Sequence, residues 1–127
     1  MRYLLTFYAV EEEWMALPEA DRRAGIAEIG QWFAEHARSG KIVEGRRLAR
    51  GAKTVRLGRV RKKDLPLVTD GPFIEAKELM GGYSLIEVKS LEEAIGWAKR
   101  GLAIVGQGTN EICPVMSPED FAAAAGQ

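Results

Sequence analysis

The segment from residue 69 to residue 83 carries the densest group of ionisable side chains that lies between turn-forming residues. Gly71-Pro72 and Gly81-Gly82 are the turn signals, and the ionisable residues beside them are Asp70, Glu75, Lys77 and Glu78. Turn residues that fix the backbone next to charged groups are typical of small polar sites, which often lie on loops. We therefore take this segment as the first candidate site.

Three carboxylates in the segment could move protons. Asp70, at a strand end, could act as a general base or as a hydrogen-bond acceptor. In a helical turn Glu75 and Glu78 would share a face, whereas in an extended segment Glu75 and Lys77 would, and two neighbouring carboxylates can separate their pKa values. The structural alternative is also open, because Asp commonly caps turns and charged turns are commonly solvated.

Cationic and phenolic side chains could hold a small anion. Arg56 lies in an apolar strand pattern, within a basic run from residue 46 to 63 that has no acidic residue before Asp64. Its planar guanidinium suits a carboxylate or a phenolate. We assign Arg56, Lys77 and Tyr83 to substrate binding. A solvated hairpin is the alternative, and RNA is disfavoured because no aromatic residue is interleaved with the basic ones.

His36 is the single histidine and follows Trp32 by four residues, so the two are neighbours on a helix. It falls beside the apolar stripe of that helix. Two interpretations stay open: a half-buried structural histidine, or a proton shuttle with a pKa near neutrality. We include His36 with Asp70, Glu75 and Glu78 among the candidate catalytic residues.

Several kinds of site do not fit the sequence. One His and one Cys do not make a typical zinc site. Gly106-Gln107-Gly108 lacks a Walker lysine and the full dinucleotide fingerprint, so we do not interpret it as a nucleotide loop. Cys113, followed by Pro114 in a strand, is predicted to be a buried small side chain. We expect no cofactor and no metal.

Composition and length indicate one domain covering residues 1–127, with a short C-terminal helix and tail over 117–127. The formal net charge of +0 argues against a chain built mainly for nucleic acid or an anionic membrane. A single cysteine fits a reducing compartment, and no apolar run reaches the ~18 residues that span a bilayer. We expect a cytoplasmic protein.

The hydrophobic pattern predicts an α+β fold of the ferredoxin-like type. Strands are expected over 2–10, 42–48, 54–57, 67–69, 82–88 and 111–115, with helices over 19–39 and 90–100 and from 117. Residues 11–18 are expected to be a polar connection. The order is β-α-β-β-α-β with an extra β-hairpin. Because the first strand is apolar on both faces and two helices cover one face, we predict a homodimer.

The sequence resembles the YCII-related domain family, in its DGPF-motif group. The resemblance covers nearly the whole chain. The residues that carry it are Arg2-Tyr3-Leu4-Leu5, Thr54-Val55-Arg56, Val68 to Phe73, Glu75, Lys77-Glu78, Gly81-Gly82-Tyr83, Glu93-Ala94, Trp97-Ala98, Arg100, Glu111-Ile112 and Pro114-Val115.

This resemblance implies a dimeric α/β barrel, a bacterial origin, a cytoplasmic setting and frequent association with extracytoplasmic-function sigma factors. A related member is a cofactor-independent dehydrochlorinase of a chlorinated hydroquinone. Typical members carry a catalytic His and Asp pair, whereas here the single His36 lies late in the first helix. Two functions follow as hypotheses: a cofactor-independent lyase or isomerase acting on a small anionic or phenolic molecule, or a non-catalytic ligand-sensing module associated with such a sigma factor.

Overall fold

The computed structural model describes residues 1–49, 51–56, 67–70 and 78–126. Its strands are β1 Arg2–Ala9, β2 Ile42–Arg47, β3 Lys53–Arg56, β4 Leu67–Asp70, β5 Leu79–Glu87 and β6 Thr109–Pro114. Its helices are α1 Glu11–Ala16, α2 Glu19–Arg38, α3 Leu91–Val105 and α4 Pro118–Ala125. The predicted order of strands and of the helices α2, α3 and α4 is confirmed, the helix α1 is an addition to it, and the fold is α+β.

Four antiparallel strands form the main sheet in the order β2-β5-β1-β6. The two central strands are the first strand and the strand before α3, as in ferredoxin-like domains. β6 is an edge strand and ends at Pro114, a residue that cannot donate to a further strand. The ferredoxin-like prediction is therefore confirmed for the single chain.

Local sequence signals explain where α3 begins and ends. Ser90 Oγ accepts a hydrogen bond from the Glu93 backbone N–H at 3.2 Å, and Glu93 Oε2 accepts one from the Lys89 N–H at 2.8 Å. The first bond satisfies one of the donors that a helix start leaves free, and the second ties the Lys89 amide, just before the cap, to the first turn. The helix runs to Val105 and not to the predicted residue 100, and Gly106, at φ 89°, ends it.

The segment 11–18, predicted to be a polar connection, contains the short helix α1 instead. Glu11, Glu12 and Glu13 occupy its first turn, where carboxylates interact favourably with the helix dipole. Leu17 takes an extended conformation, as residues before proline commonly do, and the helix stops before Pro18. The prediction was wrong because so short a helix has no apolar periodicity.

The hydrophobic core lies between the sheet and the helices α2 and α3. Tyr3, Leu5 and Ile86 contribute from the sheet, and Trp97, at 2% exposure, contributes from α3. Gly25 of α2 lies against α3, because a Cβ there would stand 3.4 Å from the Ile104 carbonyl oxygen. A Cβ would therefore be in contact at this crossing, and a side chain longer than that of alanine would push the two helices apart.

β3 and β4 form a separate two-stranded sheet, as the predicted extra hairpin requires. The register pairs Lys53 with Asp70 and Arg56 with Leu67. The predicted hairpin tip, Arg59 to Asp64, lies outside the described residues. The candidate residues Asp70 and Arg56 therefore belong to opposite ends of this hairpin, separated along it by roughly 10 Å of backbone.

Candidate functional site

A cavity of about 480 Å³ lies between the sheet and the helices α2 and α3. Leu5 and Phe7 form part of its floor, and Ile29 and Val105 lie on the helical side. Its wall is mainly apolar, and the size is within the range of sites for small organic molecules. Ile26, 40% exposed, lies at its edge and indicates where the cavity meets solvent.

Glycines on facing elements create this space. Gly45 and Gly82 line the cavity from the sheet, and Gly30 and Gly101 line it from α2 and α3. A Cβ added at Gly30 or at Gly101 would meet no heavy atom within 4 Å. Large side chains at these two helical positions would therefore occupy the cavity without an immediate clash.

Every tryptophan of the chain lines the cavity. They are Trp14 of α1, Trp32 of α2 and Trp97 of α3. Trp32 and Trp97 lie with their ring centroids 5.0 Å apart. Indole rings offer broad flat surfaces, and aromatic groups stack on them or pack edge-on against them. Trp97 is only 2% exposed, so Trp14 and Trp32 are the indoles that offer surface to a flat or aromatic ligand.

A row of four residues crosses the cavity floor from one edge of the sheet to the other. Arg47, Gly82, Phe7 and Asn110 are neighbours in register on β2, β5, β1 and β6. Adjacent strands are ~4.8 Å apart, which separates the backbones of Arg47 and Asn110 by ~14 Å. The floor is thus polar at both ends and apolar in the middle.

The two polar ends of the floor differ in whether they have a partner within the protein. Asn110 Nδ2 donates to the Ala98 carbonyl oxygen at 3.3 Å and so ties β6 to α3. Arg47 is exposed and makes no ion pair with any residue in the described part of the chain. Its guanidinium is therefore available to an anion at that edge.

Gln107 lies in the turn between α3 and β6 and also lines the cavity. Its Nε2 and Oε1 atoms are both buried, and neither has a hydrogen-bond partner among the described residues. Gly106 and Gly108, on either side, have φ angles of 89° and 110°. Such angles favour glycine, so the Gly-Gln-Gly sequence fixes where this amide lies.

Tyr83, predicted to bind substrate, is among the residues that line the cavity, but its side chain points away from the helices. Its neighbours Gly82 and Ser84 occupy the helix-facing side of β5, and side chains alternate along a strand. Tyr83 Oη donates to Glu44 Oε1 at 3.0 Å. This bond to the carboxylate is the main cause that raises the pKa of Tyr83, with smaller contributions from desolvation and from the charge of Glu44.

His36 belongs to an aromatic cluster of α2 and α3. Its ring lies 5.0 Å from the Trp32 ring and 4.5 Å from the Trp97 ring, edge-on in both cases. The side chain is half-buried, and it is not among the residues that line the cavity. The structure therefore places His36 behind the indole wall, where it supports the position of Trp32 and Trp97.

The residues of the segment around Asp70 are described only in part. Glu75 and Lys77 lie outside the described residues, and Asp70 and Arg56 are placed by their backbones in β4 and β3. Glu78 is exposed, and its Oε1 accepts a hydrogen bond from Thr109 Oγ1 at 3.2 Å. Their predicted catalytic and binding roles stay predictions.

Cys113 was predicted to be buried and is exposed instead. It pairs with Leu4 on the sheet face that points away from α2 and α3. Apolar periodicity alone does not tell which face of an edge strand is covered. Within the described ranges, no group of His, Cys, Asp and Glu side chains could hold a metal ion.

Sequence reasoning missed the cavity and Gln107. The only local signal was the Gly106-Gln107-Gly108 pattern, which was considered solely as a nucleotide loop and set aside. Two glycines around one amide residue indicate a constrained turn, but they do not reveal that the residue lies beside a cavity.

Comparison with known proteins identifies one matching family. The family model for the YCII-related domain matches residues 1–118. None of the curated proteins matches the chain.

Proposed function

The chain belongs to the YCII-related domain family, and we propose that it binds a small, flat, anionic molecule in the cavity between its helices and its sheet. The observation that carries this proposal is the cavity of about 480 Å³ itself, which glycines keep open and three tryptophans line. A well-packed domain rarely keeps such a void without a ligand.

The negative charge of the ligand is argued from Arg47. This residue lies at one end of the cavity floor, and its sheet neighbour Gly82 has no side chain to fill the space beside it. No described acidic group pairs with it. A carboxylate, sulfonate or phenolate on the ligand would supply the missing partner.

Paired fluorescent probes test the proposal. The anionic probe is 1-anilinonaphthalene-8-sulfonate, and the neutral control is N-phenyl-1-naphthylamine, which has the same rings without the sulfonate. Because Trp14, Trp32 and Trp97 all line the cavity, binding should quench tryptophan emission and transfer energy to either probe. We expect the anionic probe to bind more tightly, and Arg47→Gln to remove the difference.

Filling the cavity provides the matched control. Gly101→Leu places a side chain in the void, whereas Gly96→Leu changes a glycine of the same helix that does not line it. Both sites have no heavy atom within 4 Å of the added Cβ. We expect Gly101→Leu to weaken both probes at least tenfold and Gly96→Leu to leave their binding unchanged.

Both variants should also gain stability, by about 0.5–1 kcal/mol, because leucine is a better helix former than glycine. Loss of binding could then not be attributed to unfolding. Equal binding by the Gly101→Leu variant and the unchanged protein would remove the cavity as the site, as would failure of both probes to bind.

A second candidate function is favoured by the Tyr83–Glu44 hydrogen bond. A phenol that keeps its proton can act as a general acid when it exchanges its bond to Glu44 for one to a substrate, and a cofactor-independent lyase or isomerase acting on a small anionic or phenolic molecule needs such an acid. In this proposal Asp70 is the base, Arg56 and Lys77 hold the anion, and Glu75 or Glu78 assists, whereas His36 packs against Trp32 and Trp97 on the helical side and takes no part. The reaction would take place on the sheet face opposite the helices.

The regulatory alternative needs the same cavity and one protein partner. A ligand-sensing module associated with an extracytoplasmic-function sigma factor would bind its ligand without turnover. The two alternatives differ in one measurement, because an enzyme consumes the ligand that it binds and a sensor releases it unchanged. A cytoplasmic setting and a bacterial origin belong to both. Among the described residues, no helix is long and apolar enough to cross a membrane.

A further inference from the structure

We infer that Ser84 is a ligand-binding residue, and that its hydroxyl and the Arg47 guanidinium together hold the carboxylate of an aromatic acid. This role rests on the proposed function and names the chemical class of the anion. Ser84 is 7% exposed and lines the cavity from β5. It lies two residues from Gly82, on the same helix-facing side of the strand.

The Ser84 hydroxyl has no partner within the described part of the chain, and it can be reached. It makes no hydrogen bond to a described group, and its Oγ is not among the sealed side-chain atoms that lack a partner. Oγ therefore keeps accessible surface, and the space that Ser84 lines is the cavity. A hydroxyl can rotate its single proton towards a group that enters this space.

Gly82 leaves a bare stretch of floor between Ser84 and Arg47. Arg47 lies opposite Gly82 on β2, and Ser84 lies ~7 Å further along β5. The three heavy atoms nearest to a Cβ added at Gly82 all belong to the backbone of β2, the closest at 3.0 Å. At Gly45, in contrast, the Phe33 ring already covers the strand, with its Cε1 atom 3.0 Å from an added Cβ. The bare place at Gly82 thus has a guanidinium on one side and a hydroxyl on another.

Two donors on different sides of one open place suit an anion with two oxygens. Arg47 offers N–H groups in a planar fork, and Ser84 offers one O–H. A carboxylate can turn one oxygen to each of them, whereas a phenolate must share a single oxygen between both. Phe33 supplies an aromatic surface beside this place for the ring that carries the acid. The class of ligand is therefore an aromatic carboxylate.

Removal of one oxygen atom from the protein tests the role of Ser84. The probe is 2-naphthoate, and the matched control is 2-methylnaphthalene, which has the same rings and no oxygen. Calorimetry measures both affinities. We expect Ser84→Ala to weaken 2-naphthoate about tenfold, because a hydrogen bond to a charged group is lost, and to leave 2-methylnaphthalene unchanged.

Thr6→Val is the control variant. Thr6 is 6% exposed, and its hydroxyl also lacks a partner among the described residues. It pairs with Tyr83 and so lies on the sheet face that points away from the helices. Thr6→Val removes an equally buried hydroxyl on the neighbouring strand, and it should keep the affinity for 2-naphthoate.

A second readout does not depend on binding. Without ligand, Ser84→Ala should have a melting temperature equal to or above that of the unchanged protein, since the hydroxyl has no described partner to lose. A clearly lower melting temperature would show that the hydroxyl is already bonded in the free protein, and would overturn the inference.

A pair of anions with the same ring tests the carboxylate. Pentafluorobenzoate and pentafluorophenolate are both ionised at neutral pH, and they differ in having two charged oxygens or one. The unchanged protein should bind the benzoate more tightly. Binding of the phenolate that is equal or tighter would show that the site does not select a carboxylate.

The outcomes separate this inference from the proposed function. If the anionic sulfonate probe binds the cavity and Ser84→Ala binds 2-naphthoate as tightly as the unchanged protein does, the proposed function stands and Ser84 has no role in it. The inference also fails if Ser84→Ala weakens 2-methylnaphthalene equally, or if 2-naphthoate does not bind a protein that binds the sulfonate. If no naphthalene probe binds, the proposed function fails and the inference fails with it.

Discussion

The phenolic O–H of Tyr83 donates a hydrogen bond to Glu44 on the sheet face that points away from α2 and α3. Deprotonation of the phenol would remove this bond and place two negative charges side by side. The pKa of Tyr83 is therefore raised, chiefly by the hydrogen bond. Near neutral pH the phenol therefore keeps its proton, and it can donate that proton to a ligand only by giving up the bond to Glu44.

We predict that Glu44→Gln lowers the pKa of Tyr83 towards its ordinary value of about 10. The amide oxygen can still accept the hydrogen bond, but it carries no charge that opposes ionisation. NMR of tyrosine labelled with ¹³C at Cζ, recorded between about pH 8 and pH 12, measures the shift. An unchanged pKa of Tyr83 in Glu44→Gln would show that the charge of Glu44 does not raise this pKa.

The same pair should affect alkaline stability. Because the folded pKa of Tyr83 is raised, the folded state binds the proton more tightly than the unfolded state. The pair thus stabilises the fold fully below about pH 10, and this contribution is lost as the pH rises through the folded pKa. Glu44→Gln should weaken that alkaline loss.

Among the helices, α3 and α4 each begin with a serine cap, but they differ in how much of their surface is buried. Ser90 caps α3, which buries Ala94, Trp97 and Ala98. Ser117 caps α4, whose Asp120 N–H donates to Ser117 Oγ at 3.0 Å, and α4 has no buried residue. The hydrogen bonds are alike, whereas only α3 belongs to the core.

We predict that Ser90→Ala lowers the free energy of unfolding by about 1 kcal/mol, because a core helix loses its cap. Ser117→Ala should increase hydrogen exchange of the α4 amides and leave the global transition unchanged, since a weakly packed terminal helix opens locally. Chemical denaturation and hydrogen exchange measure the two effects. Equal loss of global stability in both variants would show that α4 unfolds with the core.

The caps also explain how much of the fold could be predicted from the sequence. Ser90, Ser117 and the strand alternation are local signals, and the structure confirms the elements that they predict. The length of α3 was underestimated, because Gly101 interrupts the pattern of helix formers near the predicted end. α1 was missed because a helix of six residues has too few turns to show an apolar face.

The cavity belongs to the whole molecule and could not be predicted. Ile26, Ile29 and Phe33 form an apolar stripe, and a stripe predicts that α2 packs on something, not how tightly it packs. The space arises because glycines from α2, α3, β2 and β5 meet at one end of the sheet. These glycines are distant in sequence, so their proximity is visible only in the folded structure.

The second face of the main sheet, which points away from α2 and α3, bears on assembly. Leu4, Tyr8 and Leu85 are half-buried there, and Met80 is 43% exposed. β1 is an inner strand with β5 on one side and β6 on the other. Its apolar residues on this face therefore lie near the middle of the sheet. A second copy of the chain would bury it by a two-fold contact, the commonest form of association.

We predict a homodimer through this face. Light scattering after gel filtration should give twice the mass of 14.0 kDa, and Leu4→Glu should give the single-chain mass, because a buried unpaired carboxylate is unfavourable in the contact. Ile95→Glu is the control, since Ile95 is 37% exposed on α3, away from the sheet face. It should leave the dimer intact.

Cys113 gives an independent measure of the same contact. It is the single cysteine, it is exposed in one chain, and it lies beside Leu4 on the second face. Its reaction with a disulfide reagent should therefore slow as the protein concentration rises, because the dimer covers the thiol. In Leu4→Glu the rate should be fast at every concentration. A reaction rate of the unchanged protein that does not depend on concentration, together with a mass of 14.0 kDa, would refute the dimer.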